Sequence, residues 1–145
     1  MYDNEMHLTF SSHSQNEAFA RVTAGAFASQ LDPTIEELTD IRTAISEAVT
    51  NAIIHGYENQ PGNVFMDCYL AGRTFITEIR DEGMGIEDIA LAMQPFYTSK
   101  AGLDRSGMGF TVMEAFMDHV KVTSVPGCGT TVHMEKTLRE VDTDE

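Results

Sequence analysis

Apolar and polar positions change period several times along this chain, and each change marks an element. Over residues 38–56 the apolar side chains Ile41, Ala44, Ile45, Ala48, Val49, Ala52 and Ile53 recur at spacings of three and four, which places them on one face of a helix turning about 100° per residue. That face is core. Two starts fit this helix: Asp32-Pro33 as a cap with a first-turn proline, or Thr34 capping with Glu37 at box spacing. Upstream, residues 5–11 alternate loosely and predict a strand. Ser14 and Glu17 then have capping-box spacing, and Phe19, Val22, Thr23, Ala26 and Phe27 mark the inner face of a first helix ending near Leu31. Arg21 lies off that stripe and, on pattern alone, reads as a solvated helix charge.

Beyond Gly56, a stretch containing Pro61, Gly62 and Asn63 predicts a turn. Residues 64–70 and 74–80 alternate on either side of Ala71-Gly72-Arg73, the pattern of a hairpin. Residues 123–125 and 131–136 form a second pair around Pro126-Gly127-Cys128-Gly129. Strands thus come in antiparallel hairpins while helices cluster apart from them. The expectation is an α+β two-layer sandwich, its mostly antiparallel mixed sheet covered on one face by helices, instead of a parallel Rossmann sheet. No composition shift, repeat or linker interrupts the chain, so residues 1–145 read as one domain, with 139–145 an acidic, frayed tail.

Composition changes the picture in two ways. Nine Lys and Arg stand against 23 Asp and Glu, a formal net charge of −14. Such a surface repels a phosphate backbone, which argues against direct nucleic-acid binding and for a basic protein partner. A phosphorylated small ligand would need local relief from a metal ion, a helix N-terminus, or Lys100, Arg105 and Lys121. Cys68 and Cys128 offer no disulfide framework, the first residues are acidic, and no apolar run approaches a membrane span. The expectation is a cytoplasmic protein in a reducing compartment, with no membrane partner.

Candidate chemistry sits in four places. Glu47 and Asn51 are one helical turn apart at the edge of the apolar stripe, where a core meets a cleft; Glu47 is a candidate base or water-holder, and Asn51 offers a neutral oxygen to a hard cation. An ordinary half-exposed pair would fit the same wheel. Asp81-Glu82-Gly83-Met84-Gly85 follows a strand, and is not the dinucleotide fingerprint. Its glycines allow a flat ligand close to the backbone, and an aspartate there can accept from an exocyclic amine such as that of adenine; a tight turn is the plain alternative. Arg105-Ser106-Gly107-Met108-Gly109 opens a short helix, an arrangement that suits an anion, with Arg105 a cation for a terminal phosphate. Residues 94–104 read as a lid-like loop in which Lys100 is the candidate phosphate contact. The five histidines show no metal-ligand or triad spacing.

Taken in order, Glu47-x-x-x-Asn51, Asp81-x-Gly83-x-Gly85, Gly107-Met108-Gly109 and Gly129-Thr130-Thr131 resemble the Bergerat-type ATP-binding fold shared by gyrase, Hsp90, sensor histidine kinases and MutL. The resemblance implies that Asn51 holds Mg²⁺, Asp81 reads adenine beside Gly83 and Gly85, the second glycine stretch with Ser106 and Met108 cradles phosphates, and Thr130 supports the adenine end. Residues 46–57 and 105–110, with Phe19-Ala20-Arg21-Val22 and Gln30-Leu31-Asp32-Pro33-Thr34, more closely resemble the anti-sigma F factors of endospore-forming bacteria, the SpoIIAB family. That likeness implies a homodimer with two activities. With ATP it holds RNA polymerase sigma F inactive, and as a serine-protein kinase using Mg-ATP it phosphorylates the anti-anti-sigma factor SpoIIAA, while ADP favours trapping the unphosphorylated form. Arg21 matches the family's partner-contacting arginine, which displaces the solvated reading. Thr98-Ser99-Lys100 departs mildly from the more usual Thr-Thr-Lys, as does the short acidic tail.

Overall fold

The computed structural model describes residues 1–58, 60–86, 93 and 109–140. Five strands, β1 (Asn4–Ser11), β2 (Asn63–Ala71), β3 (Thr74–Asp81), β4 (His119–Val125) and β5 (Gly129–Thr137), form one sheet in the order β1-β2-β3-β5-β4. Each pairing is antiparallel. Helices α1 (Gln15–Ala28), α2 (Ile35–Asn51) and α3 (Gly109–Phe116) supply the second layer. This is the α+β two-layer arrangement that the hairpin pattern predicts. Alternation explains the core: Val64, Met66, Cys68 and Leu70 on β2 turn to the helices and pack in one cluster with Ile41, Ala44, Ile45, Ala48 and Val49 of α2. No helix among the described residues is long and apolar enough to cross a membrane.

Of the two starts open to α2, Thr34 is the one used. Its Oγ1 accepts from Glu37 N–H at 3.0 Å while Glu37 Oε1 accepts from Thr34 N–H at 2.9 Å, a reciprocal capping box. Asp32 instead takes a left-handed conformation, φ 53°, at the end of a short 3₁₀ turn, Ser29–Leu31. The corresponding box at Ser14 does not form. Ser14 already has helical dihedrals and makes no side-chain cap, and Glu17 pairs with Arg21 at 2.9 Å.

The inner face of α1 also differs from the pattern. Ala20, Ala24, Gly25, Phe27 and Ala28 are buried, whereas Phe19 and Val22 are 53% and 55% exposed. Small residues at positions 20, 24 and 28 let α1 lie close to α2, and closeness takes precedence over side-chain size in choosing the buried face. A second difference ends α2. The helix does not run unbroken to Gly56: its α-helical bonding stops at Asn51 and residues Ala52–Gly56 form a π turn, closed by Tyr57 N–H to the Ala52 carbonyl at 3.0 Å.

The open face of the sheet carries a row of charges. Asp67 and Glu78 face each other across β2 and β3, flanked by His7 on β1 and His133 on β5. His7 has Asp67 at 2.6 Å from one ring nitrogen and Glu5 at 2.7 Å from the other; His133 likewise bridges Glu78 at 2.8 Å and Glu135 at 2.7 Å. A ring with a carboxylate at both nitrogens donates twice only as imidazolium. Hydrogen bonds to Asp67 and Glu5 raise the pKa of His7. Burial acts most strongly on His133 and lowers its pKa, but the bonds to Glu135 and Glu78 together outweigh it and the net shift is upward. A raised folded-state pKa gives stability that is whole below the unfolded value and is lost as pH rises through the folded one. The melting temperature is therefore expected to fall by a few degrees as pH rises from about 6 to about 9 in scanning calorimetry, and the paired change H7Q/H133Q to flatten that slope. An equal slope in the variant would show that these rings contribute nothing.

Candidate functional site

Asp81 closes β3, and alternation decides where its carboxyl points. Phe75, Thr77, Ile79 and Asp81 share the helix-facing side of the strand, so the last of them is carried inward and is only 6% exposed. Burial pushes its pKa up to about 6, against the opposing pull of backbone N–H groups from Gly83 and Thr130. The Gly83 bond to Oδ1 is 2.9 Å. Thr130, 8% exposed, is the cross-strand partner of Asp81 on β5.

Glycines bring main chain against this carboxyl. The π turn delivers Gly56 so close that a Cβ on it would lie 2.7 Å from the Asp81 carboxyl. A Cβ on Gly83 would collide with the Gly56 carbonyl, which itself accepts from Met84 N–H at 2.9 Å. Gly85, at φ 78°, carries the chain toward the β4–β5 turn, where Gly127 N–H donates to the Met84 carbonyl at 2.6 Å. Ser124 secures that junction. Its Oγ accepts from Ile86 N–H at 2.7 Å, donates to the Gly129 carbonyl at 3.0 Å, and stands 2.9 Å from Thr130 Oγ1.

Glu47 and Asn51 occupy successive turns of α2, as their spacing requires, and α3 begins against them. A Cβ on Gly109 would lie 2.9 Å from Asn51 Nδ2 and 3.5 Å from Glu47 Oε1, so the bare first residue of α3 is what admits both side chains. Asn51 Nδ2 is buried with no hydrogen-bond partner among the described residues. An orphaned amide, a buried carboxyl and glycine-lined main chain fit a ligand with polar edges and a flat body. Glu47 also lines a cavity of about 320 Å³ with Arg21, Thr39, Arg42, Thr43 and Ser46, between α1 and α2. Arg21 and Glu47 thus share one groove.

Asn51, Asp81, Gly83, Gly85, Gly109 and Thr130 belong to the structure described above; Lys100, Arg105, Ser106, Gly107 and Met108 lie outside the described residues, as does the lid-like stretch 94–104. Sequence pattern missed Gly56, Ser124 and Arg42. The signal for Gly56 was present, since a glycine ending a long apolar helix permits close approach as well as a stop. Ser124 and Arg42 depend on tertiary neighbours and left none.

Residues 10–136 match the family model for the histidine kinase-like ATPase domain, a nucleotide-binding class whose layered sheet and helices are those described here. The chain is 57% identical over 141 residues to an anti-sigma F factor of Clostridium kluyveri, covering 97% of this chain and 99% of that one. It is 61% identical over 136 residues to an anti-sigma F factor of Halalkalibacterium halodurans, with 93% of each covered. A solved structure of the RsbU and RsbW domains of a Mycobacterium tuberculosis protein superposes with a TM-score of 0.67 at 21% identity; the match takes in 93% of this chain and 32% of that one, and speaks to fold alone. The chain belongs to the anti-sigma F factor family of histidine kinase-like ATPases.

Proposed function

We propose that this chain is a cytoplasmic, homodimeric anti-sigma factor that holds RNA polymerase sigma F inactive in its ATP-bound form, and a kinase that transfers phosphate from Mg-ATP to a serine of the anti-anti-sigma factor SpoIIAA. The observation that carries the nucleotide part is Asp81, a carboxyl sunk beneath main chain at Gly56 and Gly83 with its pKa held near the physiological range. An ionised, desolvated carboxylate there is an acceptor aimed at an exocyclic amine, and Thr130 and Ser124 brace the strand beside it.

In this reading Asn51 contributes the protein's oxygen to Mg²⁺. Mg²⁺ keeps several waters and is bound by one or two protein groups together with substrate phosphates, so a single protein oxygen from Asn51 suits such an ion. The ion supplies charge neutralisation at the transferring phosphoryl group. Glu47 accepts the serine proton or orients the hydroxyl. Gly109, with Ser106, Gly107 and Met108, offers main-chain N–H groups to phosphate oxygens, and Arg105 and Lys100 add cations. Arg21, in the groove that Glu47 also lines, contacts the protein partner.

The test is direct. The purified chain is mixed with Mg-ATP labelled on the γ-phosphate and with SpoIIAA, and acid-stable label on serine is expected. No transfer, or acid-labile label of the kind histidine carries, would overturn the serine-kinase reading.

A further inference from the structure

We propose that Arg42 reads the substrate: the groove between α1 and α2 takes an acidic segment of the phosphorylated protein, with Arg42 pairing a carboxylate about three residues from the acceptor serine. This rests on the serine-kinase reading above and adds to it a recognition residue and a sequence requirement.

The groove concentrates positive charge in a chain that has little of it. Two of the nine basic residues, Arg21 and Arg42, line one cavity of about 320 Å³. Arg21 has an i,i+4 partner on its own helix, Glu17 at 2.9 Å. Arg42, by contrast, is exposed and makes no hydrogen bond or ion pair with a described residue, so the five N–H groups of its guanidinium face solvent and are open to a ligand. Its stem is nonetheless held. A Cβ on Gly25 would lie 2.7 Å from Arg42 Nε and 3.3 Å from its Cγ, so the missing side chain of α1 is where the Arg42 stem crosses. A long side chain laid in a slot has already lost part of the rotamer freedom that binding would otherwise cost. The result is a fork whose stem lies against α1 and which has no partner among the described residues.

Register follows from helix geometry. Arg42 and Glu47 are five residues apart on α2, about 7.5 Å along its axis and about 140° around it, which separates their Cβ atoms by about 10 Å. An extended peptide advances roughly 3.3 Å per residue, so a serine addressed to Glu47 sets a side chain about three positions away beside Arg42. Carboxylate is the complement of a guanidinium, and bidentate pairing fixes direction as well as charge. With a formal net charge of −14 on the whole chain, an acidic segment is repelled at long range, so its recognition has to come from a local contact of this kind.

The experiment compares wild type with Arg42→Glu in two measurements. Calorimetric affinity for SpoIIAA in Mg-ADP does not depend on phosphoryl transfer; a loss of about 10-fold or more is expected. In steady-state transfer KM should rise by a similar factor, with kcat within about threefold and Mg-ATP affinity unchanged. A SpoIIAA variant with lysine in place of the acidic residue nearest the serine should recover affinity for Arg42→Glu and lose it for wild type. Wild-type affinity and KM in Arg42→Glu, or an acceptor serine with no Asp or Glu within about four residues, overturns the proposal. If wild type labels no serine, the kinase reading fails by itself, and the affinity and charge-swap arms still decide whether Arg42 reads an acidic partner.

Discussion

Asp81→Asn is expected to weaken nucleotide binding severely while making the protein no less stable, and the opposition of those two effects is what makes it informative. At neutral pH the Asp81 carboxyl is ionised in a site that raises its pKa from 3.8 to about 6. Because the folded state holds the proton more tightly than the unfolded one, the sign is unfavourable. The penalty is absent below the unfolded pKa, grows as pH rises between the two values, and is complete above about 6. Its size is roughly 2–3 kcal/mol. An amide of the same shape escapes it, less whatever is lost where an NH₂ meets the Gly83 or Thr130 N–H. The melting temperature of Asp81→Asn should therefore match or exceed wild type at pH about 8, with a smaller difference at pH about 5, where wild-type Asp81 is protonated. ATP affinity should fall by about 10²-fold, since a hydrogen bond to a charged acceptor contributes roughly 1.5–3 kcal/mol. Wild-type affinity should likewise decline as pH drops through about 6. Calorimetric titration of Mg-ATP checks both statements; affinity within a few-fold of wild type would take Asp81 out of the binding site.

Glu47 carries the other large effect. Glu47→Ala is expected to slow phosphoryl transfer by 10²- to 10⁴-fold, about 3–5 kcal/mol of barrier, with Mg-ATP binding preserved. The geometry supports separating the two quantities, because Glu47 lies toward the groove shared with Arg21 whereas Asp81 lies beneath Gly56 at the far end of the π turn. Glu47→Gln divides the two roles open to this residue. A general base loses nearly as much with Gln as with Ala, since an amide does not take the proton; an orienting group recovers most of the rate. Wild-type turnover in Glu47→Ala would exclude both.

Much of this site was legible before the fold because its signals are local. Glu47 and Asn51 share a face by arithmetic of the helix alone, and a glycine pair after an alternating strand requires nothing distant. The depth of Asp81 was legible in principle too, since it continues the inward set Phe75, Thr77 and Ile79. What could not be seen is what depends on a crossing. Which face of α1 turns inward is settled by how closely two helices approach, and there Ala20, Ala24 and Ala28 count for more than Phe19 and Val22. The π turn was invisible because a single displaced backbone bond separates it from the helix that the apolar spacing describes. Arg42 needed the opening at Gly25, seventeen residues earlier in the chain and on another helix.

The meeting of main chain around Asp81 has a consequence for how this domain can diverge. At Gly83 and Gly129 the atoms that would obstruct a side chain are the carbonyl oxygens of Gly56 and Asp81, and no substitution trims a carbonyl. Overcrowding inside a core can be relieved by shrinking a neighbour, but here relief would need the turns themselves to move together. Descent with variation therefore has few single steps available at the Asp81 end of the cleft. On the exposed flank of α1, by contrast, Phe19 and Val22 meet no main-chain obstruction among the described residues, so a change of side chain there needs no turn to move.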